Sequence, residues 1–206
     1  MITIVDYGMG NLASVKNAIK RYTDKVVVSS MPNDIKKADK LILPGVGAFK
    51  DAYDEIGKRG FRGPILDFIK TGKPFLGICL GLQLLFTKSF EDGEHEGFDI
   101  IKGNVVSFEK AKGIKIPHMG WNNIISNSRA KISGCPLLKG VSEGPYMYFV
   151  HSYYVVPEDA SVITTTTDYG NNFCSMLWKD NIYATQFHPE KSQEQGLKII
   201  ENFVRL

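Results

Sequence analysis

The chain has 206 residues, of which 43% are hydrophobic and 23% charged, and its formal net charge is +3. A chain of this length can bury one sizeable core, and we expect residues 1–206 to form a single domain. The small net charge, with lysines scattered among acidic residues rather than gathered in a run, argues against nucleic acid as a partner.

Cysteine spacing and hydropathy argue against a metal-binding, secreted or membrane-spanning protein. The three cysteines, Cys79, Cys135 and Cys174, cannot all pair, and no Cys-x-x-Cys or His-x-x-x-His spacing accompanies them, so we expect no metal site. The N-terminus lacks the basic flank and long apolar core of a signal peptide, and no stretch approaches the roughly 20 apolar residues of a membrane span. We therefore expect a cytoplasmic protein without membrane contact, in which a reduced thiol can act.

The N-terminal segment predicts a strand, a glycine turn, a helix and a second strand. Ile2–Val5 is a near-continuous apolar run, apolar residues recur at helical spacing from Leu12 to Ile19, and Lys25–Ser30 is again strand-like. The turn, Gly8-x-Gly10-x-x-Ala13, also satisfies the dinucleotide fingerprint, so a nicotinamide or flavin enzyme is an alternative. That alternative requires an acidic residue near the end of the second strand, where this chain has serines. A lone fingerprint is a weak signal.

A third strand, Leu41–Leu43, runs into the loop Pro44-Gly45-Val46-Gly47-Ala48-Phe49. Its two glycines let backbone N–H groups turn toward a ligand, so the loop is a candidate oxyanion site. The alternative is an ordinary turn between a strand and a helix. Two helices follow, at Asp51–Lys58 and at Pro64–Lys70, the second with Pro in its first turn.

The next stretch, Lys73–Phe86, carries the most informative pattern in the chain. Apolar residues lead into Gly77-x-Cys79-x-Gly81, and Leu80–Phe86 predicts the start of an apolar helix. The glycine spacing is that of the nucleophile elbow, a strained bend that exposes a reactive side chain. The N–H groups and dipole of the helix would favour the thiolate. The alternative, a buried cysteine packing at a strand end, is the commoner fate of a lone cysteine, but the paired glycines favour a nucleophile.

Strand and helix patterns alternate through residue 86, which predicts an α/β fold with an open, mixed, mainly parallel central sheet and helices on both faces. A polar loop, 91–97, follows. The second half is β-rich and closes with an amphipathic helix from Gln193 onward. We predict its strands at 105–108, 146–150, 161–167, 173–178 and 182–187.

A nucleophilic cysteine needs a general base, and histidine is the usual one. The chain offers four: His95, His118, His151 and His188. His188 ends the last predicted strand, Pro189 then turns the chain out of the sheet, and Glu190 is placed to orient the imidazole. These residues predict a triad in the order Cys, His, Glu on an open α/β sheet. The alternatives are a capping role for His188 and a solvated Glu190, and we expect structural roles for the histidines at 118 and 151.

With these motifs placed, the chain resembles the class I (triad-type) glutamine amidotransferases. Among them it is most similar to the glutaminase subunits of imidazole glycerol phosphate synthases, which act in histidine biosynthesis. The resemblance covers essentially the whole chain and implies a flavodoxin-like architecture. Six motifs carry it in order: Asp6–Leu12, Pro44–Phe49, Gly77–Gly81, Pro117–Asn122, Tyr148–Tyr153 and Gln186–Ser192.

The resemblance implies hydrolysis of glutamine without a cofactor. Cys79 would attack the side-chain amide of glutamine, His188 would take the thiol proton and give one to the departing ammonia, and Glu190 would orient His188. Backbone N–H groups would hold the oxyanion, and three side chains would line the glutamine pocket, with helix packing or strand pairing as their alternative roles. The N–H groups implied for the oxyanion are those of Leu80 and of Val46 or Gly47. The residues implied for the glutamine pocket are Gln83, Ser152 and Tyr153.

The resemblance also implies a heterodimer with a (β/α)₈-barrel cyclase subunit that consumes the ammonia. Asn11, Trp121 and Lys191 match positions that face this barrel, and a core tryptophan is the alternative for Trp121. Three other functions stay open. They are a paralogous amidotransferase that supplies ammonia to a surface-sugar synthetase, a non-catalytic binding subunit of the same fold, and a different hydrolase such as a cysteine peptidase.

Overall fold

The computed structural model describes residues 1–108, 114–126 and 134–206. Its first half alternates strands and helices as predicted, because apolar runs form strands and amphipathic segments follow them. The strands are β1 (Ile2–Val5), β2 (Val26–Ser29), β3 (Lys40–Gly45) and β4 (Phe75–Cys79), and the helices are α1 (Leu12–Lys20), α2 (Phe49–Lys58) and α3 (Arg62–Lys70). A 3₁₀ helix at Pro32–Lys37, which the sequence pattern does not predict, connects β2 to β3.

The second half is β-rich, as predicted, and every strand expected there is present with shifted ends. The strands are β5 (Phe86–Ser89), β6 (His95–Glu96), β7 (Ile101–Ser107), β8 (His118–Asn123), β9 (Ile125–Ser126), β10 (Tyr146–His151), β11 (Tyr153–Pro157), β12 (Ile163–Asp168), β13 (Asn172–Lys179) and β14 (Ile182–Thr185). The described residues also include the α-helices α4 (Leu80–Gln83) and α5 (Gln193–Arg205), and 3₁₀ helices at Pro136–Leu138, Ala160–Val162 and Pro189–Lys191.

Helix α4 is the main departure from the prediction. A helix running from Leu80 toward Phe86 was expected, but it ends after one turn and Phe86 already belongs to β5. The carbonyl groups that would continue it are used elsewhere: Leu84 accepts from the N–H of Phe98 at 2.8 Å, and Leu85 accepts from that of Ile100 at 2.9 Å. The elbow is therefore followed by one turn of N–H groups rather than by the dipole of a full helix.

Within the described residues, twelve strands form one sheet and β8 pairs with β10 in a second. The strands β2, β1, β3, β4 and β14 lie side by side and are all parallel. Antiparallel strands extend the sheet beyond β14 through β13 and β11. The mainly parallel central sheet is thus confirmed. Because β14 comes from the far end of the chain and pairs beside β4, it brings the C-terminal histidine motif next to the elbow.

Helices cover both faces of the central sheet, again as predicted. Ile2 and Ile4 of β1 pack in the core that contains residues of α1 and α5, whereas Val5 packs with residues of α2 and α3. This alternation follows from the two-residue period of a strand, which directs successive side chains to opposite faces. Throughout the described part of the chain, no helix combines the length and the apolar content needed to span a membrane.

Candidate active site

The elbow lies at the junction of β4 and α4, with Cys79 at its tip. Cys79 has φ +55° and ψ −108°, a backbone conformation that residues with a side chain rarely adopt. Both flanking glycines are required by packing. A Cβ at Gly77 would lie 2.7 Å from the Gly81 carbonyl oxygen, and one at Gly81 would lie 1.9 Å from the Leu43 carbonyl oxygen. The sharp turn therefore depends on the absence of side chains two residues before and two residues after the cysteine.

We expect Gly81→Ala to lower the free energy of unfolding by at least about 1–3 kcal/mol, because its methyl group meets the rigid backbone of β3. Gly57→Ala is the matched control, since Gly57 lies in α2 with no atom within 4 Å of its added Cβ. That change is expected to stabilise the protein by about 0.5–1 kcal/mol. Urea unfolding measures both, and equal stability of the two variants would contradict the packing account.

His188 and Glu190 form a buried pair just beyond β14. The Nδ1 of His188 lies 2.9 Å from Oε1 of Glu190, and the two side chains are 3% and 1% exposed. With Nδ1–H donating to the carboxylate, the other ring nitrogen, Nε2, is the one that can exchange a proton. Among the described residues, Nε2 has no hydrogen-bond partner. The solvated position considered for Glu190 is therefore not observed.

The sulfur of Cys79 lies close enough to His188 to change its titration. Burial is the largest influence on the pKa of His188 and lowers it, but the neighbouring Cys79 and Glu190 together raise the pKa from 6.5 to about 10. The site thus favours the imidazolium form of His188. Two further groups approach the sulfur: the Val150 carbonyl oxygen at 3.9 Å and the Gln186 side-chain nitrogen at 3.6 Å.

A cavity of about 310 Å³ opens beside Cys79. Eleven residues line it, and seven of them are the residues predicted as nucleophile, oxyanion site or glutamine pocket. The predicted ones are Val46, Gly47, Cys79, Leu80, Gln83, Ser152 and Tyr153, and the others are Glu91, Pro117, Val150 and His151. The structure therefore places the two backbone segments expected to hold an oxyanion and the expected pocket residues around one space next to the thiol.

Gln83 and the two remaining buried histidines support the wall of this cavity. The Gln83 amide nitrogen donates to the Tyr153 carbonyl oxygen at 3.0 Å. His151 also contacts that oxygen, through Nδ1 at 2.8 Å, and its Nε2 lies 3.0 Å from Nδ1 of His118. Burial lowers the pKa of His118 to about 4 and that of His151 to about 3, so both rings stay neutral. Their hydrogen bonds to each other and to the backbone fit the structural role expected of them.

Glu91 is a cavity residue that the sequence pattern does not identify, since it lies in the polar loop before β6. Its carboxylate accepts a hydrogen bond from the Phe49 N–H at 2.7 Å, which holds it at the start of α2. Burial is the largest influence on its pKa and raises it. A carboxylate held at the rim of a pocket can pair with a cationic group of a ligand. The sequence offers no signal for this role, because the loop carries several other acids.

The three residues expected to face a partner all lie outside the core. Trp121 is 45% exposed, which excludes the core position considered for it. Its ring lies 6.1 Å from that of Tyr148, and Lys191 places its Nζ 5.7 Å from the same ring. Asn11 is exposed and caps α1 by accepting from the Ser14 N–H at 3.3 Å. Trp121 and Lys191 thus flank one aromatic ring on the outer face of β8 and β10.

Comparison with known proteins gives a consistent result. Residues 3–206 match the family model described as Glutamine amidotransferase class-I. Two relatives carry the name Imidazole glycerol phosphate synthase subunit HisH. The one from Syntrophotalea carbinolica is 53% identical over 208 residues, covering 98% of each chain. The one from Rhodopirellula baltica is 52% identical over 203 residues, covering 98% of this chain and 96% of its own.

A chain in the solved structure of PurLQS from Thermotoga maritima has the same architecture. The TM-score is 0.75 at 16% sequence identity, and the match covers 99% of this chain and 97% of that one. At such low identity the likeness concerns the fold alone.

Proposed function

Because this chain belongs to the class I glutamine amidotransferases, we propose that it is the glutaminase subunit of an imidazole glycerol phosphate synthase. Residues 1–206 act as one domain that hydrolyses glutamine to glutamate and ammonia. A (β/α)₈-barrel cyclase receives the ammonia and makes imidazole glycerol phosphate and an aminoimidazole carboxamide ribotide. The heterodimer works in the cytoplasm. The chain is 53% and 52% identical, over nearly its full length, to two proteins named as HisH subunits. This similarity favours the cyclase over a surface-sugar synthetase as the acceptor of the ammonia.

The observation that carries the proposal is a thiol at the wall of a cavity, with a buried imidazole–carboxylate pair as its neighbour. Nδ1 of His188 is fixed by Glu190, its Nε2 is unpartnered, and Cys79 lies at the cavity wall. This is the order of groups that nucleophilic catalysis needs: nucleophile, base and orienting acid. A non-catalytic subunit would have no need to keep a strained cysteine next to a buried ion pair.

In the first half of the reaction, the Cys79 thiolate attacks the carbonyl carbon of the glutamine side-chain amide. The charge that develops on the oxygen is stabilised by backbone N–H groups of Leu80 and of Val46 or Gly47. The tetrahedral intermediate collapses when the C–N bond breaks, and the leaving nitrogen takes a proton from Nε2 of the His188 imidazolium. Ammonia leaves, and a thioester joins the glutamyl group to the sulfur.

In the second half, water attacks the thioester while neutral His188 accepts one of its protons. Collapse of the second intermediate breaks the C–S bond, releases glutamate and restores the thiolate and imidazolium. Glu190 keeps the Nδ1 proton in place and stabilises the imidazolium throughout. The raised pKa of His188, caused by its two charged neighbours despite burial, keeps the ring protonated while the sulfur is a thiolate.

A glutaminase of this kind is useful only when it is coupled to its acceptor, because ammonia released into water is protonated and diffuses away. The outer face of β8 and β10 supplies a docking surface. Met119, Trp121 and Tyr146 are 64%, 45% and 63% exposed, and Val46 of the oxyanion loop is 40% exposed. We infer that the barrel docks on this face.

The decisive experiment is a glutaminase assay on the purified chain, alone and with its co-purified cyclase and a ribotide ligand. We expect slow hydrolysis of glutamine by the chain alone and a large increase in kcat when the cyclase and ligand are present. Full activity without the cyclase would contradict gating by the partner and favour an independent hydrolase. No activity in either state would contradict the glutaminase function itself.

Glu91→Gln is expected to raise KM for glutamine about 10-fold with little change in kcat, since a carboxylate that pairs with the α-ammonium group contributes to binding rather than to chemistry. The Gln side chain keeps an oxygen that can accept from the Phe49 N–H, so the local fold is retained. Glu96→Gln is the matched control because Glu96 is an exposed residue of neighbouring β6. Steady-state kinetics measure both variants, and an equal KM in both would remove Glu91 from the binding site.

A further inference from the structure

The catalytic scheme leaves one buried polar side chain beside the nucleophile without a role. Gln186 is fully buried between the end of β14 and His188, and its side-chain nitrogen lies 3.6 Å from the Cys79 sulfur. The register of β14 with β4 accounts for this contact. Thr185 lies opposite Ile78, so the next residues along the two strands, Gln186 and Cys79, are neighbours.

The hydrogen bonds of Gln83 determine which end of the Gln186 amide faces the sulfur. The Gln83 nitrogen donates to the Tyr153 carbonyl at 3.0 Å and to Oε1 of Gln186 at 3.1 Å. A carbonyl oxygen accepts only, so Gln83 must present its NH₂ group to this corner. Gln186 must then present its oxygen to Gln83, because a reversed amide would set two donors against each other. Its NH₂ group is left facing Cys79.

We propose that Gln186 is a further catalytic residue of the glutaminase, which donates an N–H to the Cys79 thiolate and holds it in position for attack, with Gln83 fixing the orientation of the donor. The inference rests on the proposed glutaminase function. Gln83 then has two roles. Its amide nitrogen donates to the Tyr153 carbonyl and to Gln186, which fixes the Gln186 amide, and its amide oxygen can accept from a ligand in the pocket.

The two protonation states of the sulfur have different partners. The neutral thiol can donate to the Val150 carbonyl at 3.9 Å, whereas the thiolate accepts from Gln186. A hydrogen bond to a charged group is stronger than one between neutral groups, so a donor beside the sulfur stabilises the thiolate more than the thiol. Gln186 therefore biases the sulfur toward the state that reacts.

The test is the pH dependence of Cys79 alkylation by iodoacetamide, with the modified peptide identified by mass spectrometry. The other two thiols do not interfere, because burial raises the pKa of Cys135 to about 11 and that of Cys174 to about 12. Gln186→Met removes the donor and retains the length and volume of the side chain. We expect the midpoint pH of Cys79 alkylation to rise by about one unit in this variant. At a pH below the midpoint this corresponds to a roughly 10-fold smaller thiolate fraction, and kcat/KM for glutamine is expected to fall as well.

Thr185→Val is the matched control. Thr185 is equally buried, precedes Gln186 and donates to the Phe187 carbonyl at 2.9 Å, so its loss disturbs the same segment without touching the sulfur. We expect its alkylation midpoint to equal that of the unmodified chain. Gln83→Met, which frees the Gln186 amide to rotate, should shift the midpoint in the same direction by less.

An unchanged midpoint in Gln186→Met would overturn the proposal, as would an equal shift in Thr185→Val. If the methionine variant does not fold, Gln186→Asn, which withdraws the donor by one methylene, replaces it with the same expectation. Failure of the glutaminase function is distinguishable, because the unmodified chain and its cyclase would then release no glutamate, whatever the alkylation profile of the variants.

Discussion

Replacing Cys79 by Ala is expected to abolish glutamine-dependent synthesis by the proposed complex, while synthesis from added ammonium salts continues at its normal rate. This outcome is expected because the sulfur forms the thioester in the proposed mechanism, and no other thiol is among the described residues that line the cavity. The expected loss of kcat is about 10⁶-fold if the triad acts as a unit. Alanine also fits the site, since the elbow tolerates a small side chain at this position.

The two rates are measured on the same preparation of the complex, with glutamine and with an ammonium salt as the nitrogen source. Cys135→Ala serves as the control, because Cys135 is also a buried thiol but does not line the cavity. It is expected to retain both activities. Loss of both activities in Cys79→Ala would show that the residue maintains the fold or the partner interface rather than the chemistry.

Removal of the base has the second largest expected effect. In the proposed mechanism His188→Ala leaves Cys79 without a proton acceptor and the departing ammonia without a donor, and kcat is expected to fall about 10⁴-fold or more. Single-turnover kinetics of glutamate release measure the loss. A fall of less than 10-fold in a folded variant would assign the base to another group, and His151 would then be the next candidate because it lines the cavity.

Glu190→Gln is the companion variant and tests the orienting acid through pH. Burial lowers the pKa of His188, and Cys79 and Glu190 raise it to about 10, so loss of one charged neighbour must lower it again. The alkaline limb of kcat, where the imidazolium is lost, is expected to move to lower pH. The raised pKa of His188 also means that its protonated form stabilises the folded state. This contribution to the free energy of unfolding is complete below the ordinary pKa of 6.5 and is lost as the pH rises toward 10. The variant is therefore expected to lose stability chiefly at acidic and neutral pH.

Features encoded within short stretches could be predicted from the sequence. The period of apolar residues identifies β1, α1 and α5, because burial of one face repeats with the geometry of each element. The spacing of Gly77, Cys79 and Gly81 identifies the elbow, because both glycines are needed where the chain turns against β3. Pro189 and Glu190 identify His188 as a residue at a strand end with its acid beside it. The family match over residues 3–206 confirms the resemblance drawn from such motifs.

Only the tertiary structure decides which distant residues meet. The sequence contains a glutamine at 83 and another at 186, but their contact, and the approach of the second to Cys79, depend on β14 pairing beside β4. The same holds for Glu91, which reaches the cavity through its bond to Phe49, and for α4, whose length is set by bonds from residues 98 to 100. The periodicity of apolar residues indicates which positions of a strand or helix are buried. Contacts between distant side chains depend on strand register and on the closure of long loops, and no local sequence pattern contains that information.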